Sequence, residues 1–231
     1  MKLVLGISTS THRGSVALVG AGRVLALATH EVLEAHAEAL FSLLDEVLSR
    51  AGASRADLAC VGCDVGPGSF TGVRVGVASA AGIASALGVP TIGVGSLESM
   101  AHAALAASPG TSRVVAALDA KKGELYVGTF DGLGLPEGEA RHLPRSDAEA
   151  ALSAWSTQPG TRLVGVVLDE LDAFRTAPCV VRTPGADLPC ASWVARVGER
   201  WLSEKRQIGP LKPVYVREPD AKPSFGPASL R

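Results

Sequence analysis

A chain of 231 residues, 47% hydrophobic and 19% charged, can bury a real core, is not disordered, and has room for one large or two small domains. Its formal net charge of −1 supplies no general basic field, which argues against a stand-alone RNA binder and leaves room only for a local basic patch. The apolar start is interrupted by the polar run 8–13, too early for an export core. The most apolar stretch, 73–87, is short for a bilayer and broken by Gly76 and Gly82, so a cytoplasmic protein with no membrane association is expected.

In chain order, residues 2–7, 15–19 and 23–30 read as strands joined by short turns at Gly14 and at 20–22, hence antiparallel neighbours. A helix is expected over about 35–50, stopped near Gly52. A buried strand (58–64), a glycine-rich loop (66–72) and a second helix (73–87, stopped by Gly88 and Pro90) follow. A strand at 91–94 and a helix at 97–107 complete a first unit. Ser108, Pro109 and Gly110 then mark a boundary between an N-terminal half, 1–108, and a C-terminal half, 109–231. Segment 113–131 starts over with strand, turn and strand, and its Lys122-Gly123 turn answers Arg13-Gly14 in a weak internal repeat. Beyond 132 the chain reads as a helix at 146–156, a strand-like run at 162–168, and a helix over about 191–205 able to pack back on the first half. From about 209 a tail with prolines 210, 213, 219, 223 and 227 is expected to wrap over a surface. This order describes an α/β protein with the actin-like ATPase (ASKHA) fold, two related halves each with a mixed sheet flanked by helices.

The four cysteines are Cys60, Cys63, Cys179 and Cys190. Cys60 and Cys63 form a C-x-x-C inside an apolar strand, where residues three apart point to opposite faces, and no second pair follows. They read as core filling rather than as a redox or zinc site.

The sharpest local signal is Gly66-Pro67-Gly68-Ser69-Phe70-Thr71-Gly72 between a buried strand and a helix. Amides at such a junction can hold an anion. A P-loop fails for want of a lysine, and a dinucleotide fingerprint fails because the third glycine comes one residue late. A purely structural turn, with glycines allowing close packing, stands beside the anion-site reading.

The stretch GPGSFTGVRVGVASAAGIASALGVPTIGVGSLESMA closely resembles the signature region of the TsaB family, smaller paralogues of TsaD. LGISTSTHRGSVAL resembles that family's opening, ALDAKKGELYVGTF the start of its second half, and PVYVREPDA its tail. Residues 132–208 carry no recognised motif. The resemblance implies an actin-like fold and a heterodimer with TsaD. TsaD transfers threonylcarbamoyl from its adenylate to the transfer-RNA adenosine 3′ of the anticodon. It further implies the ATPase TsaE as a further partner, transfer RNA met through the complex, and a homodimer as an alternative assembly.

The resemblance also locates what this chain lacks. Ser8 stands where enzymes of the fold, and most of the family, carry an acid. Ser96 and Met100 stand where TsaD has its H-x-x-x-H metal pair. Asp119 is then the acid left at a comparable point, and no residue is assigned to catalysis or to metal. No cofactor is expected, and weak nucleotide binding stays open in a residual cleft of Thr9, Ser10, Gly66, Gly68 and Asp119. Partner contacts are expected from the first two helices. On the first, apolar residues including Leu40, Phe41, Leu44 and Val47 span an arc of roughly 160°, with His36 at its edge. On the second, Val73, Val77 and Ala81 sit among small residues. A non-catalytic scaffold of TsaD is the main reading, against an ATP-dependent phosphotransferase or ATPase and, third, a glycoprotease-like protein of the M22 type.

Overall fold

The computed structural model describes residues 2–31, 36–204 and 210–217, and side chains at 36–38 lie outside that description. β1 (Leu3–Ser8), β2 (Gly14–Gly20) and β3 (Arg23–His30) form an antiparallel meander. After α1 (His36–Ala51), β4 (Leu58–Asp64) adds parallel to β1. After α2 (Phe70–Leu87), β5 (Thr91–Val94) adds parallel to β4. The same sequence of events recurs. After α3 (Ser96–Ala107), β6 (Arg113–Lys121), β7 (Glu124–Asp131) and β8 (Arg141–Pro144) make a second meander. α4 (Arg145–Ser156) leads to β9 (Thr161–Val164), parallel to β6, and β10 (Val180–Val181) lies beside β9. α5 (Ala191–Ser203) ends the regular structure. Both sheets run third, second, first, fourth, fifth in their own strands, the duplicated arrangement of the actin-like ATPase fold.

Alternation along β1 explains the layering. Leu3, Leu5 and Ile7 face a core shared with Leu40, Leu44 and Val47 of α1 and Ala80 and Ala84 of α2. Val4 faces the other way and joins Cys60, Ile92 and Val194, Ala195 and Val197 of α5. α5, late in the chain, thus covers the first sheet. α3, early in the chain, supplies Leu97, Met100 and Ala104 to the core of the second sheet, and α3 and α5 touch. The opposite face of the second sheet is filled by Ala148 and Leu152 of α4 with Val167, Leu168 and Phe174. Cys60 and Cys63 lie in different cores, back to back across the first sheet. Both are free thiols, and burial pushes Cys60 up to about 11. They are core filling.

Several elements depart from the sequence reading for local reasons. α2 starts three residues early because the Ser69 hydroxyl accepts from Gly72 N–H (3.2 Å) and caps it. The run 162–168 is a strand only to Val164. Gly165 (φ +142°) turns the chain into a 3₁₀ helix, Val166–Glu170. The short β8 and β10 lie at sheet edges. α2 itself is long and apolar enough in composition to cross a bilayer, yet a third of it (33%) is buried against the first sheet.

Candidate functional site

The C-terminal ends of β1 and β4, the glycine loop and the start of α3 meet around one buried carboxylate. Ser8, Ser10 and Asp64 are fully buried there, with Ser96. Asp64 Oδ2 accepts from Ser8 Oγ (2.8 Å) and from Ser10 Oγ. Its Oδ1 accepts from Ser96 Oγ and from Gly66 N–H (3.0 Å). Four donors from three chain segments therefore converge on one carboxylate. Burial raises its pKa above the ordinary carboxylate value, and the bonds from Ser10, Ser96, Gly66 and Ser8 offset part of that rise.

Asp64 was legible as the one charge in the apolar run 58–65, but the strand pattern hid it. It corrects the view that Asp119 is the acid left at the cleft. Ser8 donates to an acid on the neighbouring strand. Asp119 lies near the end of β6, on the β6–β7 hairpin, with its side chain 43% exposed. It accepts from Lys121 N–H (2.9 Å) and pairs with Lys121 Nζ (2.9 Å). Partial burial opposes its charge, but the Lys121 bonds and the Lys121 and Arg145 charges prevail and hold its pKa below the ordinary value.

The glycine loop is packed, not open. A Cβ at Gly68 would stand 2.3 Å from the Ser10 carbonyl oxygen, and one at Gly72 would stand 2.1 Å from that of Thr9. Ser69 N–H donates to Ser10 O (2.6 Å) and Thr9 Oγ1 donates to Gly72 O (2.7 Å). The amides of Gly66, Ser69, Gly72 and Val73 thus all have partners inside the chain. The glycines seat the loop on the first strand-turn, which favours the structural turn over the anion cradle. Of the residual-cleft residues, Thr9, Ser10, Gly66 and Gly68 are together, while Asp119 is on the opposite, exposed hairpin. Among the described residues no group of three or more His, Cys, Asp or Glu is placed to hold a metal ion. Ser96 is tied to Asp64, and Met100 is buried in the core of the second sheet.

The helix face divides sharply. Leu40, Leu44 and Val47 are buried at 1%, 2% and 0% exposure in the chain's own core, and Val73 of α2 is buried at 2%. These four are not on an open surface. The wide apolar arc of α1 serves the sheet and α2. Val77 is half-buried against the same core. Phe41, at 53% exposure, and Ala81 do face outward, with Arg74, Ala78, Gly82 and Ser85 along α2. The His36 side chain falls outside the described residues.

A family model described as TsaD, tRNA N6-adenosine threonylcarbamoyltransferase, matches residues 29–137. An uncharacterized protein of Mycobacterium tuberculosis is 34% identical over 223 residues, covering 95% of this chain and 94% of that protein. The tRNA threonylcarbamoyladenosine biosynthesis protein TsaB of Escherichia coli is 38% identical over 141 residues, 59% of each chain. Among solved structures, YeaZ from Pseudomonas aeruginosa superposes with a TM-score of 0.75 at 26% identity, over 93% of this chain and 100% of that one.

Proposed function

We propose a function from one premise: the chain belongs to the TsaB (YeaZ-like) family. It takes part with TsaD in forming threonylcarbamoyladenosine in transfer RNA, and its part there is that of a scaffold that performs no chemistry itself. The observation that carries the scaffold reading is the saturated buried carboxylate. Asp64 receives four hydrogen bonds from the chain, so its oxygens are already engaged where an enzyme of this fold would present a free carboxylate to metal or water. The protein works in the cytoplasm as a heterodimer with TsaD, with TsaE completing the system and transfer RNA held through the complex. A homodimer through the same face is the competing assembly.

The face that suits TsaD is the outer side of α2 with Phe41. Ala78, Ala81 and Gly82 are exposed, and a Cβ at Gly82 would meet nothing within 4 Å, so a partner helix can approach closely. Ala81→Arg, with its side chain in water in the free protein, is expected to leave the melting temperature unchanged and to weaken TsaD binding at least about tenfold. Leu44→Glu, by contrast, places a carboxylate in the core and is expected to prevent folding. Deleting the gene is expected to remove threonylcarbamoyladenosine from digested transfer RNA, read by mass spectrometry. Normal modification in a strain with no second copy would refute the assignment. ATP turnover by the pure protein, abolished by Asp119→Ala, would refute the scaffold role alone.

A further inference from the structure

Residues 210–217 lie outside both sheets and touch both. Leu211 packs on the first-sheet core, its Cδ2 3.5 Å from where a Cβ at Gly93 would stand. Val214 N–H donates to Val65 O (2.8 Å) just past the end of β4, and Val214 O lies 2.9 Å from a Cβ position at Gly66. Tyr215 then docks on the first turn of α2. Its hydroxyl accepts from Arg74 Nε (2.8 Å), and its ring centroid is 5.5 Å from that of Phe70. The Arg74 guanidinium lies 3.5 Å over the Phe70 ring. From there the chain crosses. Val216 packs on the core of the second sheet. Arg217 donates to Ala120 O (3.2 Å) and pairs with Glu124 (3.2 Å), which His142 also engages at 2.9 Å.

We propose that residues 211–217 are a strap that fixes the first half to the second, from the glycine loop to the β6–β7 hairpin. Three residues of extended chain reach about 10 Å. Arg217 holds Ala120 O through its side chain, which adds to that reach, so the anchors at Val214 and Arg217 together limit the separation of Val65 and Ala120, and any wider opening must break one of them. The first anchor is a main-chain bond reinforced by an aromatic and cationic stack. The second is a half-buried ion pair (21% and 28% exposed) with a main-chain acceptor beside it. A chain held in this way keeps the two halves in one relation without a ligand between them. The inference does not depend on the partner assigned above.

The test is hydrogen exchange by mass spectrometry on the full chain, wild type beside Val216→Asp/Arg217→Ala. In the wild type, 210–217 should be protected. In the double variant, 210–217 should lose protection, and segments 65–68 and 119–124 should exchange at least about tenfold faster, while β2, β3 and α4 keep their rates. Where the double variant melts too low to assay, Arg217→Ala alone carries the same comparison. Wild-type exchange of 210–217 at the rate of an unstructured chain would overturn the strap. A released strap that leaves both segments at wild-type rates would overturn the coupling.

Discussion

The two halves repeat one strand order but have spent their loops differently. In the first, Thr9 and Ser10 just after β1 are buried, the hydroxyls of Ser8 and Ser10 are aimed at Asp64, and β4 leads through a packed glycine loop into the 18-residue α2. In the second, the matching end of the β6–β7 hairpin is exposed and charged with Asp119, Lys121 and Lys122. β9 leads through Gly165 into a single 3₁₀ segment of five residues. One copy has become a closed, hydrogen-bonded floor carrying a long helix with an open face. The other has kept an open hairpin that the strap grips. The same topology therefore supports a dry junction on one side and a wet one on the other, and the two should respond to mutation in opposite ways.

The largest contrast is between the two acids. Asp64→Ala leaves three buried hydroxyls and an amide without their acceptor, and should cost about 3 kcal/mol of unfolding free energy in urea melts. Asp119→Ala removes a pair whose partner Lys121 is 79% exposed, so solvent screening should keep the change within about 0.5 kcal/mol. Equal losses at the two sites would erase the distinction between floor and hairpin.

Glycine substitutions sharpen the same contrast by separating two causes. Gly72→Ala drives a methyl group to 2.1 Å from the Thr9 carbonyl oxygen, which is backbone and cannot swing aside, and should cost about 2–3 kcal/mol. Gly123→Ala in the matching hairpin meets nothing within 4 Å, and its φ of +75° alone should cost about 1 kcal/mol. Thermal melts of both variants would show whether packing or backbone conformation governs each turn. A larger loss at Gly123 would mean that the glycine loop moves out of the way more easily than its contacts suggest.

What the sequence could and could not reveal follows from the same division. The first five strands and first two helices are legible because their apolar spacing is strong and their ends carry Gly52, Gly88 and Pro90. β8 and β10 are not, because four- and two-residue edge strands bury too little to leave a pattern. The apolar arc of α1 was legible, but its orientation was not. Periodicity says that Leu40, Leu44 and Val47 share a side, and only the packing of β1 and α2 decides that this side is inward. Asp64 went unread for a related reason. Its position looks like the end of a buried strand, and nothing local announces that hydroxyls 54, 56 and 32 residues away will converge on it.

The smallest expected effect tests the floor by its charge alone. Burial raises the pKa of Asp64 in the folded protein above the value of about 3.9 that it regains on unfolding. Between those two values the folded state holds more of the proton than the unfolded state does. Stability from this group is therefore complete below the unfolded value and is lost as pH rises through the folded one, at no more than about 1.4 kcal/mol per pH unit. Asp119 runs the other way. Its lowered pKa contributes stability that is present above the ordinary carboxylate value and lost as pH falls through the folded one. The wild-type profile alone mixes the two. The difference between wild type and Asp64→Asn isolates one, since the amide keeps the shape of the carboxyl and cannot titrate, and the Ser8 and Ser10 hydroxyls can turn to accept its two N–H donors while its oxygen keeps Ser96 and Gly66. Urea melts from about pH 4 to about pH 7 should show the wild type losing stability relative to Asp64→Asn as pH rises. A difference that does not change with pH would mean that the four donors cancel the effect of burial completely. The floor would then hold an ordinary carboxylate, and the halves would differ in packing but not in charge.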